Sequence, residues 1–265
     1  MRNAYIALFC FCLVSCTSMQ KPSADAVSDL APSGKLRAAI NLGNPVLASR
    51  DPAGGEPRGV SVDMARELAG RLGVPVALIP FDAAGKVVEA GKTGAWDIAF
   101  VALDPLRAAE IAQSTPYVVI EGAYLVRENS PLRSNDEVDR AGNRVVVGRN
   151  SAYDLFLTRT IKQAQIVRTQ TSGIVVDFFL KENLEVAAGV KQQLEADAKR
   201  AGGVRLLPGR FMVINQAMAS QRGKDAGARY VREFVEEMKA SGFVARALER
   251  HKIEGAAVAP AGDPK

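Results

Sequence analysis

The chain of 265 residues holds one histidine, His251, close to its C-terminal end, and one tryptophan. A lone imidazole makes a His-based metal centre or a Ser-His-Asp hydrolase hard to build. Aromatic residues make up only 6%, and no run of Lys or Arg exceeds two. The net charge of +5 and pI near 9.2 therefore describe a mildly basic surface, not the basic stripe of a nucleic-acid-binding protein. Long apolar runs are missing too: Ala4 to Leu13 is too short for a stable bilayer anchor and, with Arg2 before it, reads as the core of a targeting segment. All three cysteines, Cys10, Cys12 and Cys16, lie in or just after that segment. No internal repeat is visible. What remains, 48% hydrophobic and 24% charged, suffices for one large domain or two medium lobes.

The stretch from Trp96 to Tyr117 is the most informative. Ile98 to Leu103 is an unbroken apolar run, which suits a strand of a parallel sheet buried on both faces. Asp104-Pro105 ends it: proline suits the first turn of a helix, and the aspartate before it is a good cap. Arg107 then falls in the first turn of a short helix. In an open α/β sheet the loops beyond the strands' C-terminal ends face the ligand, and a guanidinium there offers a planar fork that matches a carboxylate. A solvated surface arginine is the alternative. Lys35 to Leu42 predicts an earlier strand ending in Asn41-Leu42-Gly43-Asn44-Pro45, so Asn41, Gly43 and Asn44 are candidate ligand contacts or a plain turn. Ser61 to Gly73 is the clearest amphipathic helix, with Met64, Leu68 and Leu72 at steps of four. Further on, Arg144 to Gly148 predicts a buried strand, and Ser151 with Asp154 three residues later gives a capping-box-like start to a helix from Tyr153 to Thr160. Free N–H groups at that start attract anions, although a capped helix that touches no ligand reads the same way.

Leu13-Val14-Ser15-Cys16 resembles the lipobox of bacterial lipoproteins. That implies a signal peptide over residues 1–15 and lipid on the Cys16 thiol; Cys10 and Cys12 leave with the peptide, so no intramolecular disulfide is possible. An ordinary secretory signal cut nearby is the alternative. Residues 16–33, with two prolines and four serines after the cysteine, predict a flexible tether.

Beyond the tether the chain resembles bacterial solute-binding proteins of family 3, the amino-acid type of ABC-importer receptor. Asp97-Ile98-Ala99-Phe100 followed by Arg107 matches the segment whose arginine grips a ligand α-carboxylate, and Ala112 to Tyr117 matches the Pro-Tyr continuation. Gly59 to Ala65 matches the family's first helix, Tyr117 to Arg127 the strand that crosses between lobes, and Val147 to Ala152 a loop whose backbone faces the ligand, with Asn150 in the place of a glycine. The resemblance implies an α/β, two-lobe periplasmic-binding-protein type II fold with two hinge crossings. Lobe 1 is expected over 34–126 and 209–254, lobe 2 over 127–208, and a loose tail over 255–265. Ligand contacts are expected from Arg107, Ser151, Ala152, Asn41, Asn44, Ala102, Asp104 and Asn150, with no catalytic residue, metal or cofactor.

Three departures stand out. Pro45-Val46-Leu47 replaces the family's Pro-Pro-Phe, Ala83 or Ala84 replaces an aromatic, and Leu184 to Lys191 lacks the aspartate that meets a substrate ammonium in most amino-acid receptors. Glu185 lies at the wrong end of its strand to substitute. A buried ammonium without an anion costs several kcal/mol, so the expected ligand is a small carboxylate lacking a free α-amine, unless Asp104 or Glu121 reaches the crevice. The expected function is a monomeric, lipid-anchored receptor on the periplasmic or outer face of a membrane that delivers solute to an ABC permease by hinge closure. A cyclohexadienyl-dehydratase-like enzyme of the same fold and a signalling receptor without transport are the alternatives.

Overall fold

The structure is a computed structural model that describes residues 21–50 and 54–262. The signal-peptide and lipobox readings, Cys16 included, lie outside the described residues. In chain order the elements are α1 (Ala24–Leu30), β1 (Leu36–Asn41), β2 (Ser49–Arg50), β3 (Pro57–Arg58), α2 (Val60–Leu72), β4 (Val76–Phe81), α3 (Ala84–Gly91), β5 (Ile98–Ala102), α4 (Pro105–Ala108) and the long β6 (Ile111–Arg127). They continue with β7 (Arg144–Gly148), α5 (Ala152–Thr160), β8 (Gln165–Thr169), α6 (Val175–Lys181), β9 (Val186–Val190), α7 (Lys191–Ala201), β10 (Val204–Leu206), β11 (Met212–Gln221), α8 (Asp225–Ala240), α9 (Phe243–Arg250) and β12 (Ala257–Val258).

The main sheet runs β4-β1-β5-β11-β6-β9-β7-β8, with β10 and β12 also paired to β6. β1, β4 and β5 are parallel to one another, as are β7, β8 and β9, so each end of the sheet is a small parallel unit. β6 joins them. Its residues from Ile111 to Gly122 pair antiparallel with β11, and from Gly122 to Leu125 they pair with β9. The partner therefore changes at Gly122, within an unbroken strand. The return crossing lies beside it: the Leu207 and Phe211 amides donate to the Tyr124 and Gly122 carbonyls, and Tyr124 stacks on Phe211 with ring centroids 4.2 Å apart.

The predicted amphipathic face of α2 is buried through Met64, Ala65, Leu68 and Leu72, and Gly73 ends the helix in the left-handed conformation. Trp96 is fully buried and donates its indole N–H to the Val87 carbonyl at 2.8 Å, satisfying the one polar atom of its ring.

Two segments correct the sequence reading. The predicted tether contains α1, capped by Ser23, with Ala26 and Leu30 buried and Asp29 accepting from the Gly227 amide at the start of α8. A seven-residue helix with two buried apolar positions carries too little periodicity to be read from sequence. The predicted loose tail is ordered as far as it is described: Ala257 and Val258 pair with Val119 and Val118 of β6, Ala259 is buried, and the Gly262 amide donates to Glu236. The tail covers an edge of β6 that would otherwise present unpaired backbone groups.

Candidate functional site

The C-terminal ends of both parallel units meet at one small cavity. Asn41 ends β1, with Gly43 and Asn44 just beyond it, Ala84 follows β4, and Ala102 ends β5 ahead of Arg107. From the other side come Ser151, Ala152 and Tyr153 after β7, Ser172 after β8, and Val190 at the end of β9, while Ile214 and Gln216 of β11 complete the lining. Its volume is about 30 Å³, space for a water or two and not for a solute of amino-acid size. Larger surface grooves of about 510 and 750 Å³ adjoin the cavity, the first lined by Leu103, Asp104 and Arg222, the second by Pro45, Glu121 and Lys191.

Six sequence-predicted residues, Asn41, Asn44, Ala102, Arg107, Ser151 and Ala152, share this cavity. Asp104 caps α4 as expected, accepting from the Leu106 amide at 2.9 Å. Its second oxygen accepts from Arg159 of α5 at 2.8 Å, so it links the two sides and does not line the cavity. Asn150 does not line it either. Its backbone has φ +56°, which explains why a glycine suits this place and why asparagine can hold it. Its amide donates to Asp154 at 2.7 Å, so the Asp154 carboxylate reaches back beyond Ser151, while Ser151 Oγ accepts from the Asp154 amide at 3.1 Å. A Cβ on Gly85 would lie 2.6 Å from that of Asn150, which is how closely the two sides approach.

Arg107 is 3% exposed. Its Nη1 donates to the Ala102 carbonyl and its Nη2 to the Asn150 carbonyl, each at 2.9 Å, the second bond crossing the junction. Burial lowers its pKa to about 10, with Asp104 opposing the shift. It is the one charged side chain among the residues lining the cavity. Of the acids near the junction, Asp197 lines an adjoining pocket that shares Gly43, Tyr153, Ser172 and Val190 with this cavity, and it accepts from Gln193 at 2.8 Å and Arg200 at 3.0 Å. Glu121 accepts from Arg210 at 2.8 Å and Lys191 at 3.0 Å, which hold its carboxyl below the usual range. Glu185, at the far end of its strand, is paired with Arg144.

Sequence reasoning missed Tyr153, Ser172, Val190, Ile214 and Gln216. Tyr153 donates to Ser172 Oγ at 2.6 Å, and burial keeps its hydroxyl neutral by raising its pKa. Gln216, buried inside the apolar β11, was visible as a polar residue in a strand that has no solvent face at that point. Ser172 had no local signal.

The profile of the bacterial extracellular solute-binding proteins, family 3, matches residues 36–253. The chain belongs to that family. Among solved structures it is similar to the solute receptor for L-cysteine of Neisseria gonorrhoeae, at 21% identity and TM-score 0.74, over 84% of this chain and 92% of that one. It is likewise similar to an amino acid ABC transporter substrate-binding protein from Streptococcus pneumoniae bound to L-arginine, at 17% identity and TM-score 0.72, over 83% and 95%. An ancestral amino acid-binding protein described as a precursor of cyclohexadienyl dehydratase matches at 19% identity and TM-score 0.72, over 84% and 98%. No curated protein matches. As a family 3 protein, the chain has the two-lobe type II fold. Among the described residues no helix is long and apolar enough to cross a membrane, and no cluster of three His, Cys, Asp or Glu side chains could hold a metal.

Proposed function

We propose that this chain is the substrate-binding receptor of an ABC importer and that it captures a small carboxylate without a free α-ammonium group. The observation that carries this reading is Arg107: a buried guanidinium at the meeting of the lobes, in a cavity whose other lining residues are all uncharged. A carboxylate on Arg107 satisfies the buried charge. An ammonium beside it would have no anion and would repel the guanidinium. Two similar solved proteins take L-cysteine and L-arginine, and the proposed ligand differs from both in lacking the amine.

Capture works by hinge closure, with lobe 1 over 34–126 and 209–254 and lobe 2 over 127–208, β6 and the segment before β11 serving as crossings. In the closed arrangement Arg107 reaches Asn150 and Arg159 reaches Asp104, contacts that open lobes would lose. A ligand that bridges the lobes shifts the equilibrium toward closure, the form a permease would read. We favour binding over a dehydratase because such an enzyme needs a general acid or base at the ligand, and Glu121, the best acid in the sequence, is held in an ion-pair cluster.

A thermal-shift screen of the lipid-free protein from Thr17 onward, against carboxylates with and without an α-amino group, tests the reading. Deaminated acids are expected to raise the melting temperature by mass action. Stabilisation by ordinary amino acids alone would reject it.

Lipidation at Cys16 is part of the same reading. Because α1 begins at Ala24, only seven residues separate it from Cys16, and seven residues span at most about 25 Å. The receptor is thereby held close to the membrane, as delivery to a permease requires. Metabolic labelling with a fatty acid is expected to mark the wild-type protein and not Cys16→Ala; equal labelling of both would refute the anchor.

A further inference from the structure

We infer that the solute carries a neutral hydrogen-bond donor next to its carboxylate, as a short 2-hydroxy acid does, and that Asn44 is the residue that selects for it. The inference rests on the carboxylate reading of Arg107 given above.

Asn44 is 6% exposed, and its Oδ1 is buried without a hydrogen-bond partner. The side chain is not needed to hold its own loop. That work falls to the backbone, where the Asn44 carbonyl accepts from the Leu47 and Ala48 amides at 3.1 and 3.2 Å. Three neighbouring polar groups of the cavity are already engaged: Asn41 Oδ1 accepts from the Gly43 amide at 3.0 Å, Ser151 Oγ accepts from the Asp154 amide at 3.1 Å, and the Tyr153 hydroxyl donates to Ser172. A buried carbonyl oxygen with no donor is costly, and a donor on the ligand removes that cost.

The character of the donor follows from charge and space. An ammonium would place a second cation near Arg107 with no acid lining the cavity. A hydroxyl supplies the hydrogen without the charge. Asn44 and Arg107 line the same cavity, so one ligand seated there meets both. The carbon beside the carboxylate is the nearest place for a donor, and hydroxyl is the smallest group that serves.

The test is a calorimetric titration with acids matched in carbon skeleton: lactate, propionate and alanine, then the same trio at longer chain lengths. For the wild-type protein the hydroxy acid is expected to bind roughly tenfold tighter than the unsubstituted acid, the gain of about one hydrogen bond, and the amino acid to bind most weakly. Asn44→Ala should bring the hydroxy acid down to the unsubstituted acid while leaving the latter unchanged, which also shows that the variant is folded. Asn44→Asp should reverse the order in favour of the amino acid, because it supplies the missing anion.

Equal affinity for hydroxy and unsubstituted acids, or a preference that survives in Asn44→Ala, would overturn the role of Asn44 and leave the carboxylate reading standing. Failure of every carboxylate to bind the wild-type protein would overturn both.

Discussion

Arg107→Ala is expected to lower carboxylate affinity by at least about 100-fold. Hydrogen bonds to charged groups contribute roughly 1.5–3 kcal/mol each, and an arginine fork offers a carboxylate two of them. Loss of about 3 kcal/mol corresponds to that factor. The substitution also leaves the Ala102 and Asn150 carbonyls without the donors they now use, although Gln113 still reaches Ala102 at 3.1 Å. Arg107→Lys should recover part of the affinity, since an ammonium restores the charge without the planar fork.

A pH series separates charge from shape. Burial places the Arg107 pKa at about 10, below the ordinary arginine range, so the folded chain gives up this proton more readily than the unfolded one. The cost of burying the charge is therefore present at neutral pH and is relieved as pH rises through about 10. Ligand binding runs the other way: affinity should be flat across the neutral range and should fall as pH climbs through about 10. Titrations of the wild-type protein at neutral pH and above that value measure it. An affinity unchanged at high pH would mean that Arg107 does not hold the anion by its charge.

Asp154→Ala is expected to cause the largest loss of stability among single changes near the site. Asp154 is 2% exposed, and its carboxylate accepts from the Asn150 amide and from Arg168 Nε at 2.9 Å. Its removal strips a buried ion pair of one partner, which typically costs 3–5 kcal/mol. Arg168 is about a third exposed, so the lower end applies: about 3 kcal/mol, or roughly 6–12 °C in melting temperature for a protein of this size. The loop at Asn150 would lose its anchor at the same time, and with it the carbonyl that meets Arg107. Thermal unfolding with and without a carboxylate ligand checks both effects. A melting temperature within about 2 °C of the wild type would contradict this role.

The elements that proved legible were those whose local chemistry repeats a physical rule. Arg107 could be placed because a buried apolar run, a capping aspartate and a proline at the first helical turn leave few other conformations. Asn44 could be placed only as a loop residue. That its Oδ1 is buried and unpartnered depends on residues distant in sequence, Ala84, Ser151 and Gln216 among them, lining the same cavity. The Ser151 to Asp154 spacing announced a helix start, but not that Asp154 would bond the Asn150 amide, since that requires the left-handed backbone at Asn150. Ser172 was invisible because it reaches the cavity through the placement of β8 beside β7. The helix at Ala24–Leu30 and the strap at Ala257–Val258 were unreadable for a common reason: each is too short to show a period and owes its order to α8 or to the edge of β6.

The measurement that bears most directly on this account is a crystal structure of the lipid-free protein with the acid that most raises its melting temperature. The account predicts the carboxylate on the Arg107 fork, between the Asn41 to Pro45 loop and Ser151, with no acidic side chain against the ligand. A structure with ligand only in the surface grooves, and no carboxylate on Arg107, would contradict it.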